Sequence, residues 1–215
     1  MFQNWDNIQP ETYDKVYYDK YAKTDARYRY LMAVKFFMPM VEKTIGEVTD
    51  FNKTFLEIGD AHDWVCNYVF QRGWKPTKID INVYSDVGNH PTIIHNFETY
   101  DFEDMVFDCV WASHVFEHFK EPVKALQKTY DLLNPNGCVY ISMPDTFYLI
   151  KNGDFGHLQR NEHHIMWLME KFIEVAEKIG FNLAYKGRNE KPNFFIGYQD
   201  CHIILRKGEN NAHLS

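Results

Sequence analysis

The residues of this 215-residue chain best placed to do chemistry lie in a few short stretches. The first is Glu57-Ile58-Gly59-Asp60-Ala61-His62-Asp63, where an apolar run ends in a glycine and acidic residues follow. Asp80 comes 21 residues after Gly59, at the end of a second apolar run. An acidic side chain at about that distance from a strand-to-helix glycine can hold both hydroxyls of a ribose. The same residues also suit a plain strand-to-helix turn with a carboxylate at a strand end. The second stretch holds His114 and His118, an H-x-x-x-H pair. Two histidines four apart on a helix can bind zinc. Here, however, Glu117 precedes the second histidine, whereas the metalloprotease arrangement puts glutamate directly after the first. No metal is therefore expected. Asp145, Tyr148, His157, His163 and His164 form a third, looser group.

These residues need elements to position them, and hydrophobic periodicity supplies candidates. Glu11 to Ala22 and Thr24 to Ile45 read as helices, the second with a stripe of Tyr28, Leu31, Met32, Phe36, Met40 and Val41. From Lys53 onward short apolar runs alternate with helix-length amphipathic stretches. Thr54–Ile58, Lys78–Ile81, Thr92–His95, Phe107–Ala112 and Cys138–Ser142 read as strands. Ala61–Arg72, Pro122–Leu133 and His164–Ile179 read as helices, with Asn134-Pro135-Asn136-Gly137 as a turn. Phe181–Lys186 and Phe194–Arg206 form a last pair of strands with no helix between them. The pattern predicts a Rossmann-like α/β fold. Its sheet is doubly wound, mostly parallel and seven-stranded, with an antiparallel C-terminal edge strand and an N-terminal helical cap. The expected division is a cap over residues 1–50 and a ligand-binding domain over 51–215.

Composition narrows the function. Hydrophobic residues make up 45% and charged residues 25%, which excludes global disorder. The net charge of -7 lacks the basic footprint of a non-specific nucleic-acid binder. No apolar run approaches the roughly 20 residues that span a bilayer, so no membrane partner is expected. Cys66, Cys109, Cys138 and Cys201 are widely spaced and read as reduced, buried thiols. With no basic and apolar leader at Met1 to Asp6, a cytoplasmic location is expected.

Four blocks, in order, carry a resemblance. They are Phe55-Leu56-Glu57-Ile58-Gly59, then Lys78-Ile79-Asp80, then Phe107-Asp108-Cys109-Val110-Trp111-Ala112-Ser113-His114-Val115-Phe116-Glu117-His118, then Leu132-Leu133-Asn134-Pro135-Asn136-Gly137-Cys138. Together they resemble the class I S-adenosylmethionine-dependent methyltransferases, in their small-molecule branch. The resemblance covers about residues 51–145 well and His164 to Lys207 more weakly. It implies S-adenosylmethionine as cofactor. Glu57 and Gly59 would border its methionine moiety, with Ala61 and His62 on the loop beneath. Asp80 would hold the ribose hydroxyls. Asn96 would accept from the adenine amine, and Phe97 would stack on the ring. Ser113 and His114 would lie near the sulfonium and the acceptor, with His114 as the catalytic candidate.

One departure stands out. The family turn carries three glycines, and this chain has Gly59, Ala61 and Asp63 in their places. The cofactor contains no pyrophosphate, so the turn need not cradle phosphate.

The residues also restrict the acceptor. After the fourth strand the chain reads Ala112-Ser113-His114-Val115, not the (Asp/Asn)-Pro-Pro-aromatic turn used on the adenine amine in DNA. None of the cysteines follows a proline, as carbon-5 cytosine methylation requires. What remains is an oxygen or nitrogen of a small metabolite or sugar. A homodimer is the oligomer allowed for. The alternative is a degenerate methyltransferase fold, with its glycine turn eroded, serving as an interaction or assembly module. A dehydrogenase would need a glycine pattern for pyrophosphate that this turn does not supply.

Overall fold

A computed structural model describes residues 26–46, 48–49, 51–59, 63–81, 90–153, 162–188 and 200–208. The expected helix over Glu11 to Ala22 lies outside these residues. In chain order the elements are α1 (Ala26–Ile45), β1 (Lys53–Ile58), α2 (Trp64–Phe70), β2 (Trp74–Asp80), β3 (Thr92–Ile94), β4 (Phe107–Ser113), α3 (Pro122–Leu132), β5 (Leu133–Pro144), α4 (Thr146–Asn152), α5 (Met169–Ile179), β6 (Phe181–Arg188) and β7 (Asp200–Lys207).

The strands form one seven-stranded sheet in the order β3-β2-β1-β4-β5-β7-β6. The pairs β1–β2, β2–β3, β1–β4 and β4–β5 are parallel. β7 runs antiparallel to both β5 and β6. The expected antiparallel C-terminal strand is thus present, set one place in from the edge, with β6 outermost. Chain direction across the sheet reverses between β1 and β4. Ligands of open α/β sheets sit at such a switch point, beyond the carboxyl ends of the strands.

Successive strand residues face opposite sides of the sheet, so each strand feeds two cores. Leu56, Ile58, Val110, Ala112, Val139 and Ile141 pack under α3 and α5. Phe55, Cys109, Trp111, Cys138 and Tyr140 pack under α1 and α2. The two rings of Trp111 and Tyr140 stack with centroids 3.7 Å apart. All four cysteines are buried free thiols.

Several elements differ from their sequence reading. The buried stripe of α1 is Ala33, Val34, Phe37, Met38 and Val41, whereas Phe36 of the expected stripe is exposed. The segment Ala33 to Phe37 is apolar on almost every side, so periodicity alone could not choose the face. Contact with the sheet chose it: Phe37 stacks on His202 and packs against Tyr140. α2 begins at Trp64, after Asp63 takes a left-handed φ of 57°. α5 begins at Met169 rather than at His164, and the backbone N–H groups of His164 and Ile165 both donate to Glu117 O. The Asn134–Gly137 turn is absorbed as an irregularity in β5, opposite the step from Phe107 to Cys109. Asn136 there has φ of 66°, and a Cβ on Gly137 would lie 2.9 Å from Asn134 O. α4 was not expected; it is capped by Asp145, which accepts from Phe147 N at 3.1 Å. Among the described residues, no helix is long and apolar enough to cross a membrane.

Candidate active site

At the switch point the first turn is built around Gly59. Its φ is 76°, and its N–H donates to Ile79 O at 2.9 Å. An added Cβ would lie 2.6 Å from Val115 Cγ2, so only glycine leaves room between the ends of β1 and β4. Ile58 pairs with Ile79, which sets Gly59 beside Asp80. Asp80 is buried, and its carbonyl accepts from His95 N. Glu57 is buried at the end of β1, where Oε2 accepts from Cys66 Sγ at 3.2 Å. Ala61 and His62 lie outside the described residues.

Asp63 occupies the third glycine place of the turn. Its backbone is left-handed, a conformation that glycine enters freely and aspartate tolerates better than most side chains. Its carboxylate is neutralised inside the protein: Lys78 Nζ lies 3.0 Å from Oδ1, with both side chains at least nine-tenths buried. Asn67 Nδ2 donates to Oδ2 at 3.1 Å. The turn therefore presents a compensated carboxylate rather than a bare negative charge. Above it, Tyr30 of α1 meets Trp64 with ring centroids 6.1 Å apart, so the first helix borders the site.

The residues after β3 divide. Asn96 is exposed, and its Oδ1 accepts from Glu98 N at 2.7 Å. A carbonyl oxygen has two lone pairs, so one remains for the expected adenine contact. Phe97 takes another place than the one expected. It is 3% exposed, packed against Phe102 and Phe119, with Lys128 Nζ 5.2 Å from its ring centroid. Its apolar ring closes the core rather than presenting a face at the surface.

At the end of β4, Ser113 Oγ lies 2.8 Å from Ser142 Oγ, both buried. His114 turns out of the strand at φ of 55°. Its Nε2 lies 3.2 Å from Asp200 Oδ2, and its Nδ1 lies 3.4 Å from Glu117 Oε1. Burial works against a protonated ring, but the two carboxylates outweigh it and hold the His114 pKa up at about 10. For Glu117 burial works the other way, yet the hydrogen bond from His114 and the charges of His118 and His114 keep its pKa below the ordinary value. At neutral pH His114 is thus a cation that donates from both nitrogens, not the free base that proton abstraction from an acceptor would need. His114 and His118 do not form the metal pair their spacing suggested, because His114 is committed to Asp200 and Glu117.

Asp200, Glu117 and Lys78 are site residues that sequence reasoning missed. Asp200 is 86 positions from His114 in the chain, and nothing local marked it. Lys78 reads in the sequence only as the first residue of a strand; its partner Asp63 lies 15 positions earlier in the chain. Asp145 is also more than a bystander. It caps α4 and accepts from Arg188 Nε at 2.7 Å, tying β5 to β6.

Comparison with known proteins settles the family. A family profile described as a methyltransferase domain matches residues 25–186. The chain belongs to this methyltransferase family. The expected class I S-adenosylmethionine-dependent fold is the one observed, and S-adenosylmethionine is the cofactor. Solved structures of the same fold include an S-adenosylmethionine-dependent methyltransferase from Archaeoglobus fulgidus. It is 16% identical with a TM-score of 0.68, and the match covers 89% of this chain and 98% of that one. The N-methyltransferase NodS from Bradyrhizobium japonicum, in complex with S-adenosylhomocysteine, is 12% identical at a TM-score of 0.63, covering 91% and 98%. A third is the 1,6-didemethyltoxoflavin-N1-methyltransferase from Burkholderia thailandensis, with bound 1,6-didemethyltoxoflavin and S-adenosylhomocysteine. It is 13% identical at a TM-score of 0.65, covering 92% and 85%. No curated protein matches the sequence. In this methyltransferase domain the turn sets the backbone of Gly59 beside Asp80, while Val115 fills the place that a side chain at position 59 would take.

Proposed function

We propose that this protein transfers the methyl group of S-adenosylmethionine to an oxygen or nitrogen of a small metabolite or sugar. The observation that carries the reading is the junction of Gly59 and Asp80 at the switch point, in a chain of this family. When bound, the cofactor supplies an electrophilic methyl group. Asp80 holds the ribose hydroxyls, Glu57 and Gly59 border the methionine end, and Asn96 accepts from the adenine amine. α1, with Tyr30 beside Trp64, acts as a cap over this end of the sheet. Ser113 and His114 stand at the acceptor side, where His114 is fixed between Asp200 and Glu117. Positioning an acceptor for in-line approach can by itself supply much of the rate. The 1,6-didemethyltoxoflavin bound to the Burkholderia thailandensis neighbour supports a small-molecule acceptor here.

Calorimetric titration of the purified protein with S-adenosylmethionine and S-adenosylhomocysteine, with NAD as control, tests the reading. Micromolar binding of either, and none of NAD, is expected. No binding at millimolar ligand would overturn it and leave the fold as an interaction module. In the same assay Asp80→Ala should weaken binding by about 1–3 kcal/mol, the scale of a lost charge-assisted hydrogen bond. An unchanged dissociation constant would remove Asp80 from the site.

A further inference from the structure

We propose that Glu117, His118 and His163 form a binding site for a divalent transition-metal ion. One donor atom from each side chain lies within 4.8 Å of the other two. Glu117 Oε1 is 3.9 Å from His118 Nε2. An ion bonded to nitrogen and oxygen at about 2.0–2.2 Å asks for donors about 3.0–3.5 Å apart, so small side-chain rotations would close the site.

Three further features show that the cluster is built rather than accidental. First, Glu117 is 2% exposed, and its Oε2 has no hydrogen-bond partner among the described residues. A buried carboxylate oxygen left in that state is costly, and a cation would remove the cost. Second, His118 Nδ1 faces Glu162 O at 2.8 Å. That contact puts a proton on Nδ1, so an ion would bind at Nε2, on the side of Glu117, the arrangement by which a carbonyl orients a metal-binding imidazole. Third, His163 is strapped in place. The N–H of the next residue, His164, donates to Glu117 O at 2.8 Å, and the preceding residue, Glu162, takes the His118 contact. The His163 and His118 rings meet with centroids 5.0 Å apart.

Two imidazoles and one carboxylate suit zinc, iron, cobalt or manganese better than magnesium or calcium. Three protein ligands leave coordination positions for oxygen donors, water among them. The site is three residues beyond His114, on the same turn after β4. Metal binding does not depend on the methyl-transfer reading.

The test uses the full chain, stripped of metal with a chelator and then titrated with Co²⁺ and Zn²⁺. One Co²⁺ per chain is expected, with visible absorption bands that Zn²⁺ removes by competition. His163→Ala and Glu117→Gln should each weaken binding at least about 100-fold, as loss of a direct ligand exceeds the 10–100-fold cost of losing an orienting partner. His164→Ala removes a neighbouring imidazole outside the cluster and should leave the affinity unchanged. Circular dichroism on each variant shows that it is folded. Absence of stoichiometric binding in the unaltered protein overturns the proposal. So does binding that survives both ligand variants. Titration with S-adenosylhomocysteine in parallel reports separately on the cofactor site.

Discussion

Replacing Lys78 with Met will destabilise the protein by about 3–5 kcal/mol, the cost of breaking a buried ion pair on one side. Lys78 lies in β2, and its ammonium is 3.0 Å from Asp63 at the start of α2. Their side chains are 7% and 4% exposed, so solvent can do little to screen the charge left behind. The Met side chain has about the right volume, so the loss reports on the charge rather than on a cavity. Removing both charges is a different matter, because a buried pair often adds little net stability over neutral groups. The double variant Asp63→Gly with Lys78→Met should recover most of the loss. Glycine there also relieves the left-handed backbone at φ of 57°. Urea denaturation of the four proteins gives the coupling between the two positions. A single-variant loss below about 1 kcal/mol would show the pair to behave as an exposed one. The pair also bears on function, since it anchors the first turn four residues beyond Gly59. Cofactor affinity should therefore fall in Lys78→Met and return in the double variant, as read by calorimetry.

Acidification from neutral pH will weaken the fold, and His202 will be a principal cause. His202 is buried in β7, with Nδ1 2.8 Å from the Tyr140 hydroxyl and its ring stacked on Phe37. Burial pushes its pKa down to about 4, with Asp200 pulling it up and His114 pushing it further down. In the unfolded chain the same ring titrates near 6.5. The unfolded state therefore binds the proton first as pH falls. Stability from this group is fully present above about pH 6.5 and is lost as pH falls through about 4. The full shift corresponds to about 3 kcal/mol. His202→Gln keeps a polar contact for Tyr140 but has no proton to take up. Its stability should change less between pH 6.5 and 4 than that of the unaltered protein, measured by denaturant titration at each pH. Equal slopes in the two proteins would assign the acid sensitivity to other groups.

Much of the fold was legible in the sequence because its signals are local. Gly59 closing an apolar run, Asp80 ending the next and Gly180 stopping α5 each mark a boundary through the chemistry of one or two residues. The alternation of apolar runs with amphipathic stretches is enough to specify a parallel sheet with covered faces. The α1 stripe and Phe97 show where this stops. The α1 segment is so apolar that more than one face could be buried, and Phe97, alone among polar neighbours, could serve either a ligand or the core; in both cases the choice came from what packed against them. The segment before α5 shows the same limit for the backbone. Its periodicity suits a helix from His164, but the segment instead bonds its N–H groups to Glu117 O across the fold and turns helical only at Met169.

The candidate site divides in the same way. The sequence determined which side chains stand at the ends of β1, β2 and β4, because a strand end and its turn are properties of a few consecutive residues. Only the tertiary structure decided what those side chains are. Asp63 became a neutral element of the turn because Lys78 reaches it from the next strand. His114 became a cation because Asp200 arrives from β7, and Glu117 was brought to His163 by a strap some 45 residues further along the chain. Charge state and hydrogen bonding depend on distance through space and on exclusion of water, and neither is written in the spacing of residues along the chain.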